Sequence, residues 1–497
     1  ERQRLENIRR NQKAMEMFNL PQAVSAVAAS SRSHADRNKR SAPTHGVKRE
    51  KKAKVTENLP RRSSNRLAKI EPDGPAAAKK LEEYKESASS MHYLKSARRA
   101  GILSLSDVST GHGDGAKFAK LMEEMATYVP EKARVKDLED ESDGEDGPAP
   151  SLRRKVQALK IKGPWPTLKV CQGRIYCMAI HANKDKVLVC GGDVDGNLGF
   201  WDLDESLAED HEPDYDEEPN IYSYKAHTRT LSSMQYSPTD TTKLFTTSYD
   251  GSVRYLDLVK QKFMESYVVS NDVSDHLGSV SIDSTGNQLW FADNDGAVTL
   301  KDVRTPKDEM VYRKVLHEKK VGCVNVNPKY SHLIATSSLD RTMKIWDIRT
   351  FGKYKEDEPI PELAEFPHRL SVTSAMWSPD GMSIASTSYD DNVRVFNNFN
   401  PALPDIKEIP EPVRIHHNNQ SGRWVTMLRA VWSHQFNWFC IGNMNKSVDI
   451  YSRGTGDLMA NLRDAQVLTT VPAVNTWHPN RVLLASGMAN GKMVVWR

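Results

Sequence analysis

A motif that recurs seven times over the last two thirds of the chain constrains the fold more than any other feature. Each copy starts from an Asp or Asn at a turn, carries an apolar residue three positions on and ends a strand six positions on. The anchors are Asp195, Asp250, Asp295, Asp340, Asp390, Asn445 and Asn490, and the sixth positions are Trp201, Leu256, Lys301, Trp346, Phe396, Tyr451 and Trp496. Spacings of 55, 45, 45, 50, 55 and 45 residues between anchors suit four-stranded propeller blades with loop insertions. Seven such units close a ring, so the sequence predicts an all-β, seven-bladed propeller over residues 165–497. Strand-like runs at 244–247 and 253–257 flank Tyr249-Asp250-Gly251, where Gly accepts a positive φ and Asp caps the turn. The last repeat stops at Trp496, which leaves the seventh blade short of its outer strand. Residues 165–172 are expected to supply it and so remove the free sheet edges at the closure.

The rest is a long extension, residues 1–150, basic and then acidic, expected to be largely disordered with short helices. The net charge of +4 (69 basic against 65 acidic residues) conceals this segregation. Residues 32–69 carry 13 Lys or Arg against 3 acids, residues 137–146 hold 7 acids, and 204–218 add 9 more. Such blocks repel themselves and cannot bury a core. Helical periodicity is expected at 1–18, with Leu5, Ile8, Met15 and Phe18 roughly on one face, at 76–103 and at 117–128. The chain opens on Glu1 rather than Met, which reads as a fragment or a processed chain.

No run of about 18 apolar residues or signal-peptide pattern argues for a membrane or secretion, so an intracellular protein is the expectation. Cys171, Cys177, Cys190, Cys323 and Cys440 lack C-x-x-C spacing and read as reduced, buried thiols. A phosphate-cradling Gly loop, an H-E-x-x-H helix and a nucleophile elbow are all missing from the sequence, so an enzyme is not expected, nor a cofactor or metal.

Three stretches resemble the WD-repeat superfamily: His227 through Asp250 to Asp257, His317 through Asp340 to Trp346-Asp347, and His368 through Asp390 to Phe396. The resemblance implies that each His bonds a strand Ser or Thr and the turn Asp, and so serves structure rather than metal binding or catalysis. A closer resemblance rests on four stretches. They are Arg4-Leu5-Glu6-Asn7-Ile8-Arg9-Arg10-Asn11, Arg61-Arg62-Ser63-Ser64 with Arg66-Leu67, Ser248-Tyr249-Asp250-Gly251-Ser252-Val253-Arg254, and His417-Asn418-Asn419-Gln420. Together they resemble the family of WD-repeat protein 76 and its fungal and plant relatives, itself similar to the small subunit of the UV-damaged-DNA-binding factor. That implies a nuclear protein that associates with double-stranded DNA and chromatin in the response to DNA damage. A protein-interaction scaffold for histones, chaperones or replication factors, touching DNA only nonspecifically, is the alternative.

Basic side chains recur where one blade passes to the next. Arg174, Arg229, Lys319, Lys320, Arg369 and Arg423 stand at or just before first strands and would converge at the channel mouth, where they could surround phosphates. The same residues also read as ordinary solvated charge. Between the fifth and sixth blades, 414–424 reads as a polar loop ending in Arg423-Trp424. The pair could hold a phosphate and stack on a base, or the Trp could pack under the blade. By position this loop is similar to the wedge hairpin of the damage-binding small subunit. Gly422-Arg423-Trp424 stands where that family has Phe-Gln-His, so a weaker preference for damage is expected. Asp302-Val303-Arg304 and Asp347-Ile348-Arg349 resemble the D-x-R tripeptides by which WD-repeat substrate receptors dock on the adaptor of cullin-RING ubiquitin ligases. They also read as plain blade ends. The run 48–54 suits nuclear import or a loose nucleic-acid grip, and Ser142 sits in an acidic context that resembles a kinase site.

Overall fold

The computed structural model describes residues 98–130, 150–162, 165–204, 220–269, 276–306, 311–354, 358–399, 409–434 and 438–497. The expected helix at 1–18, most of that at 76–103, the basic run 48–54 and the acidic run 137–146 lie outside these residues. Two compact units divide the chain, 1–79 and 80–497, and every described residue belongs to the second.

That unit is built on seven antiparallel sheets, and in all but the seventh strands a to d follow sequence order from the axis outward. Blade one comprises Ile175–Ile180, Leu188–Asp193, Leu198–Asp202 and Tyr222–Tyr224. Blades two to six follow the same order and begin at Leu231, Ser279, Val321, Val372 and Val431. In blade seven, Val474–Trp477, Leu484–Gly487 and Lys492–Trp496 are joined by Leu168–Lys169 as the fourth strand, with Leu168 opposite Met493. The two-ended closure expected of 165–172 is therefore present. Inner strands lie between neighbouring blades and are buried on both sides, which is why Leu333–Ser338 and Leu188–Asp193 have no exposed residue. Phe245, Leu289 and Phe291, all fully buried, fill one such gap between blades two and three. Truncating a side chain of this kind costs about 3–5 kcal/mol for Phe.

The turns form as their residues dictate. Gly251 (φ 76°), Gly196 (φ 85°) and Gly296 (φ 84°) follow their anchors in left-handed conformation, and a Cβ at Gly296 would collide with the His317 carbonyl. All five cysteines are free and buried.

Blade four holds the fullest version of the polar brace beneath the turns. His317 Nδ1 lies 2.7 Å from Asp340, its Nε2 lies 2.7 Å from Thr336 Oγ1, and Trp346 Nε1 donates to the same hydroxyl at 2.8 Å. Blade two keeps His227, Asp250 and Thr246 but has Leu256 in the Trp slot. In blade five Asp390 is taken by Arg394 (2.8 and 3.0 Å), so His368 keeps only Ser386 at 3.0 Å. His227 and His317 thus make both contacts that the resemblance implied, whereas His368 keeps the Ser contact and lacks the Asp one.

Residues before the propeller also join it. Leu103–Ser104 pair antiparallel with Lys262 and Phe263 and add a fifth strand to blade two. This differs from the helix expected through 103: the edge of the blade supplies backbone partners that outweigh local helical preference. Buried Arg254 ties the segment down by donating to the Gly101 carbonyl at 2.8 Å, to the Arg99 carbonyl and to Glu265 at 3.2 Å. Helix α1 (Gly115–Ala126) covers the helix expected at 117–128 and starts where the Asp114 carboxylate accepts from Ala116 N–H at 2.9 Å. Phe118, Leu121, Met122 and Met125, spaced to share one face, are buried in one cluster with Phe200, Tyr222 and Tyr224. Each such side chain is worth about 1.5–3 kcal/mol when withdrawn from water. Helix α2 (Pro150–Gln157) lies on blade six, where Gln157 donates to the Met459 carbonyl.

Candidate nucleic-acid interface

Antiparallel order fixes which loops share a face. Loops from strand d to the next strand a, and from b to c, open on one side of the ring; loops from a to b and from c to d open on the other. Arg174, Arg229, Lys319, Lys320 and Arg369 all sit in d-to-a loops, and the Tyr249 and Tyr389 turns join b to c. They therefore share one face, called the loop face below.

Its basic residues are woven with aromatics. The Lys320 ammonium lies 4.5 Å above the Tyr249 ring and donates to the Tyr249 hydroxyl at 3.3 Å. Tyr249 stacks on His276 with ring centroids 5.2 Å apart, and the Arg229 guanidinium lies 3.1 and 3.4 Å from the two nitrogens of that imidazole. The Tyr176 hydroxyl meets the Tyr249 hydroxyl at 2.8 Å. Burial, foremost, lowers the pKa of Lys320 and of Arg229; for Lys320 the neighbouring Arg429 acts in the same direction.

The loop between blades five and six is only partly as expected. Val413–His416 is the outer strand of blade five rather than loop. His417 is buried with Nδ1 2.8 Å from Asn419, whose amide in turn reaches the Ser388 carbonyl, so these residues brace the loop from within. Beyond them Arg423 and Trp424 project. Trp424 is 76% exposed, which decides against packing under the blade, and the Arg423 guanidinium lies 5.3 Å over its ring. Arg174 donates to the Arg423 carbonyl at 3.0 Å, so the two residues, 249 positions apart in sequence, support one another. Arg423 is not next to a first strand, however, because blade six begins at Val431. That slot belongs to Arg429, which the sequence reading passed over. Its signal was its place just before a strand a, as for Lys320. Tyr176, Tyr249 and Tyr389 were also missed as surface features, although Ser-Tyr-Asp recurs at 248–250 and 388–390.

Among the described residues no carboxylate forms an ion pair with Arg174, Lys319, Lys320, Arg369, Arg423 or Arg429. The opposite face differs. Asp302 and Asp347 end the c strands of adjacent blades three and four, and each holds its own arginine. Arg304 donates to Asp302 at 2.9 and 2.6 Å, and Arg349 to Asp347 at 2.9 and 2.7 Å. Arg304 holds the Asp302 carboxyl down to about 2, and Arg349 holds Asp347 below the usual carboxylate range against the upward pull of burial. Both guanidinium groups remain exposed, at 69% and 67%.

Comparison with known proteins agrees with this architecture. The family described as WD domain, G-beta repeat matches residues 219–257, 311–347 and 361–397. The chain is 36% identical, over its whole length and 98% of the relative's, to DNA damage-binding protein CMR1 of Phaeosphaeria nodorum. It is 34% identical over 92% of its length, and 90% of the relative's, to the protein of that name from Neurospora crassa. The corresponding figures for the Eremothecium gossypii protein are 29%, 100% and 97%.

Proposed function

The chain belongs to the family of fungal WD-repeat proteins named DNA damage-binding protein CMR1, and from that premise we propose that it binds duplex DNA through its loop face and acts in the response to DNA damage. One observation carries the reading. Six cations that have no carboxylate partner among the described residues, Arg174, Lys319, Lys320, Arg369, Arg423 and Arg429, share that face with an exposed Trp424. Charge of this kind supplies sequence-independent affinity for phosphates, and an exposed indole stacks on a base. Recognition rather than turnover is the activity, its site is the nucleus, and chromatin is the natural form of the ligand.

The opposite face serves a second partner. Arg304 and Arg349 present exposed, pre-oriented forks from neighbouring blades, which suits docking on the adaptor of a cullin-RING ubiquitin ligase. Histones or chaperones are further partners for either rim.

The test is duplex binding by the full chain over a series of salt concentrations, with Arg423→Glu/Trp424→Ala beside the wild type. The variant is expected to bind about 10–100-fold more weakly with a shallower salt dependence. Equal binding by both proteins would remove the loop from the interface and leave the basic segment 32–69 to carry DNA contact, which is the scaffold reading.

A further inference from the structure

We propose that the channel mouth of the loop face contains a dedicated oxyanion subsite, formed by Lys320, Arg429 and the paired hydroxyls of Tyr176 and Tyr249, that grips one backbone phosphate of the bound DNA. The proposal rests on the DNA-binding reading above and names which groups hold the phosphate.

A donor inventory leads to it. Lys320 brings three N–H donors and no acceptor, and the two phenols bring one O–H each. One ammonium proton goes to the Tyr249 hydroxyl at 3.3 Å, and one phenolic proton is used between Tyr176 and Tyr249 at 2.8 Å. Whichever phenol donates within the pair, two N–H and one O–H are left over. Arg429 adds its own fork, and among the described residues no ion pair engages either cation. A half-buried ammonium in such company is under-compensated: the Tyr249 ring beneath it offsets only part of the lost hydration. A tetrahedral oxyanion, with several acceptors on one centre, is the ligand that uses these donors together.

The site is also built rather than incidental. Tyr176, Tyr249 and Lys320 come from blades one, two and four and meet only because the ring closes, and Arg429 opens blade six on the same face. Tyr249 is held by the stacked His276 ring and by the Lys320 ammonium. His276 and Lys320 together restrict access to the Tyr249 ring, so this point reads charge, and stacking falls to the exposed Trp424.

The experiment uses the full chain with Lys320→Gln and Arg429→Gln, each compared with wild type. Melting temperatures are taken in inorganic phosphate and in chloride at matched ionic strength, and duplex affinity is measured across salt. Because phosphate stabilises proteins generally, the readout is the part of its effect that the variants lose. Melting in chloride shows that each variant is folded. Both variants are expected to lose part of the phosphate gain, and Lys320→Gln to bind duplex about 5–10-fold more weakly, with a log–log salt slope shallower by about one. An identical phosphate gain in all three proteins overturns the subsite. So does duplex binding whose slope is unchanged in Lys320→Gln, although the DNA-binding reading then stands. A wild type that shows the phosphate effect but binds a Glu-rich peptide and no duplex overturns the backbone phosphate as occupant, and the proposed function with it.

Discussion

Arg174 and Arg423 on the loop face and Arg304 and Arg349 on the opposite face stand in opposite electrostatic conditions. On the loop face Arg423 and Arg174 touch a ring and a carbonyl, and no carboxylate among the described residues pairs with them. On the other face Arg304 and Arg349 each lie along an aspartate two residues earlier, with Nε and one Nη engaged. Three N–H groups of each fork still point outward. An unbalanced cluster offers net charge, felt by any polyanion and screened by salt. A balanced fork offers direction: little net charge, but donors held at fixed angles for one partner. The same side chain thus gives general attraction in one place and shape-specific recognition in the other.

Charge reversal breaks this comparison most directly and has the largest expected effect. Arg369→Glu with Arg423→Glu converts two attractions into repulsions and is expected to weaken duplex binding about 100-fold or more at moderate salt. Arg304→Glu with Arg349→Glu changes the net charge equally but on the far side of the ring. Its effect on DNA is expected to stay within about threefold. Similar losses from the two pairs would mean that overall charge, not the loop face, governs binding.

Acid sharpens the comparison by loosening the scaffold under both faces. Burial lowers the pKa of His181, His478 and His368 to about 4. The first two lie where strand a meets the opposite face, and His368 stands under the loop face. In the unfolded chain these imidazoles titrate near the usual 6.5, so between about pH 6.5 and 4 the unfolded state binds more protons. Stability therefore falls as the pH drops through that window, by on the order of 3 kcal/mol per imidazole once protonation is complete. His478 also joins blade seven to blade one through the Asn183 carbonyl at 2.9 Å, so the closure should feel the loss early. Melting temperatures measured from pH 7 to 4.5 test this; a flat profile would refute it.

Much of the ring could be read from seven turn anchors, because each Asp or Asn turn, apolar strand and strand end repeats the same local chemistry. The closing strand was legible from a deficit, since Trp496 leaves a sheet one strand short. Trp424 was legible as a candidate, but its exposure was not: nothing in its neighbours distinguishes a stacked surface indole from a buried one. Arg429, Tyr176 and Tyr249 were hidden for a different reason. Their sharing one face depends on ring closure, and no local pattern records that positions 176, 249 and 320 will be neighbours. The strand at 103–104 is only two residues long, too short for any period, and its partner lies some 160 positions away at Phe263. Helix α1, by contrast, shows itself in the 118, 121, 122, 125 spacing.

The smallest expected effect is the most discriminating. Arg304→Lys with Arg349→Lys keeps the charge of the opposite face and leaves the loop face untouched, so duplex affinity should match wild type within about twofold. Exposed pairs of this kind contribute little to stability, and the melting temperature should not move measurably. What changes is geometry: lysine offers a single compact cation on a flexible stem, unable to lie along Asp302 or Asp347 through two donors while presenting others outward. Recovery of the ligase adaptor by affinity capture from nuclear extract should therefore fall sharply while DNA binding persists. Undiminished recovery would show that simple positive charge suffices there and would dissolve the contrast between a directional face and an electrostatic one. Loss of DNA binding in the same variant would show instead that the two faces are coupled through the ring.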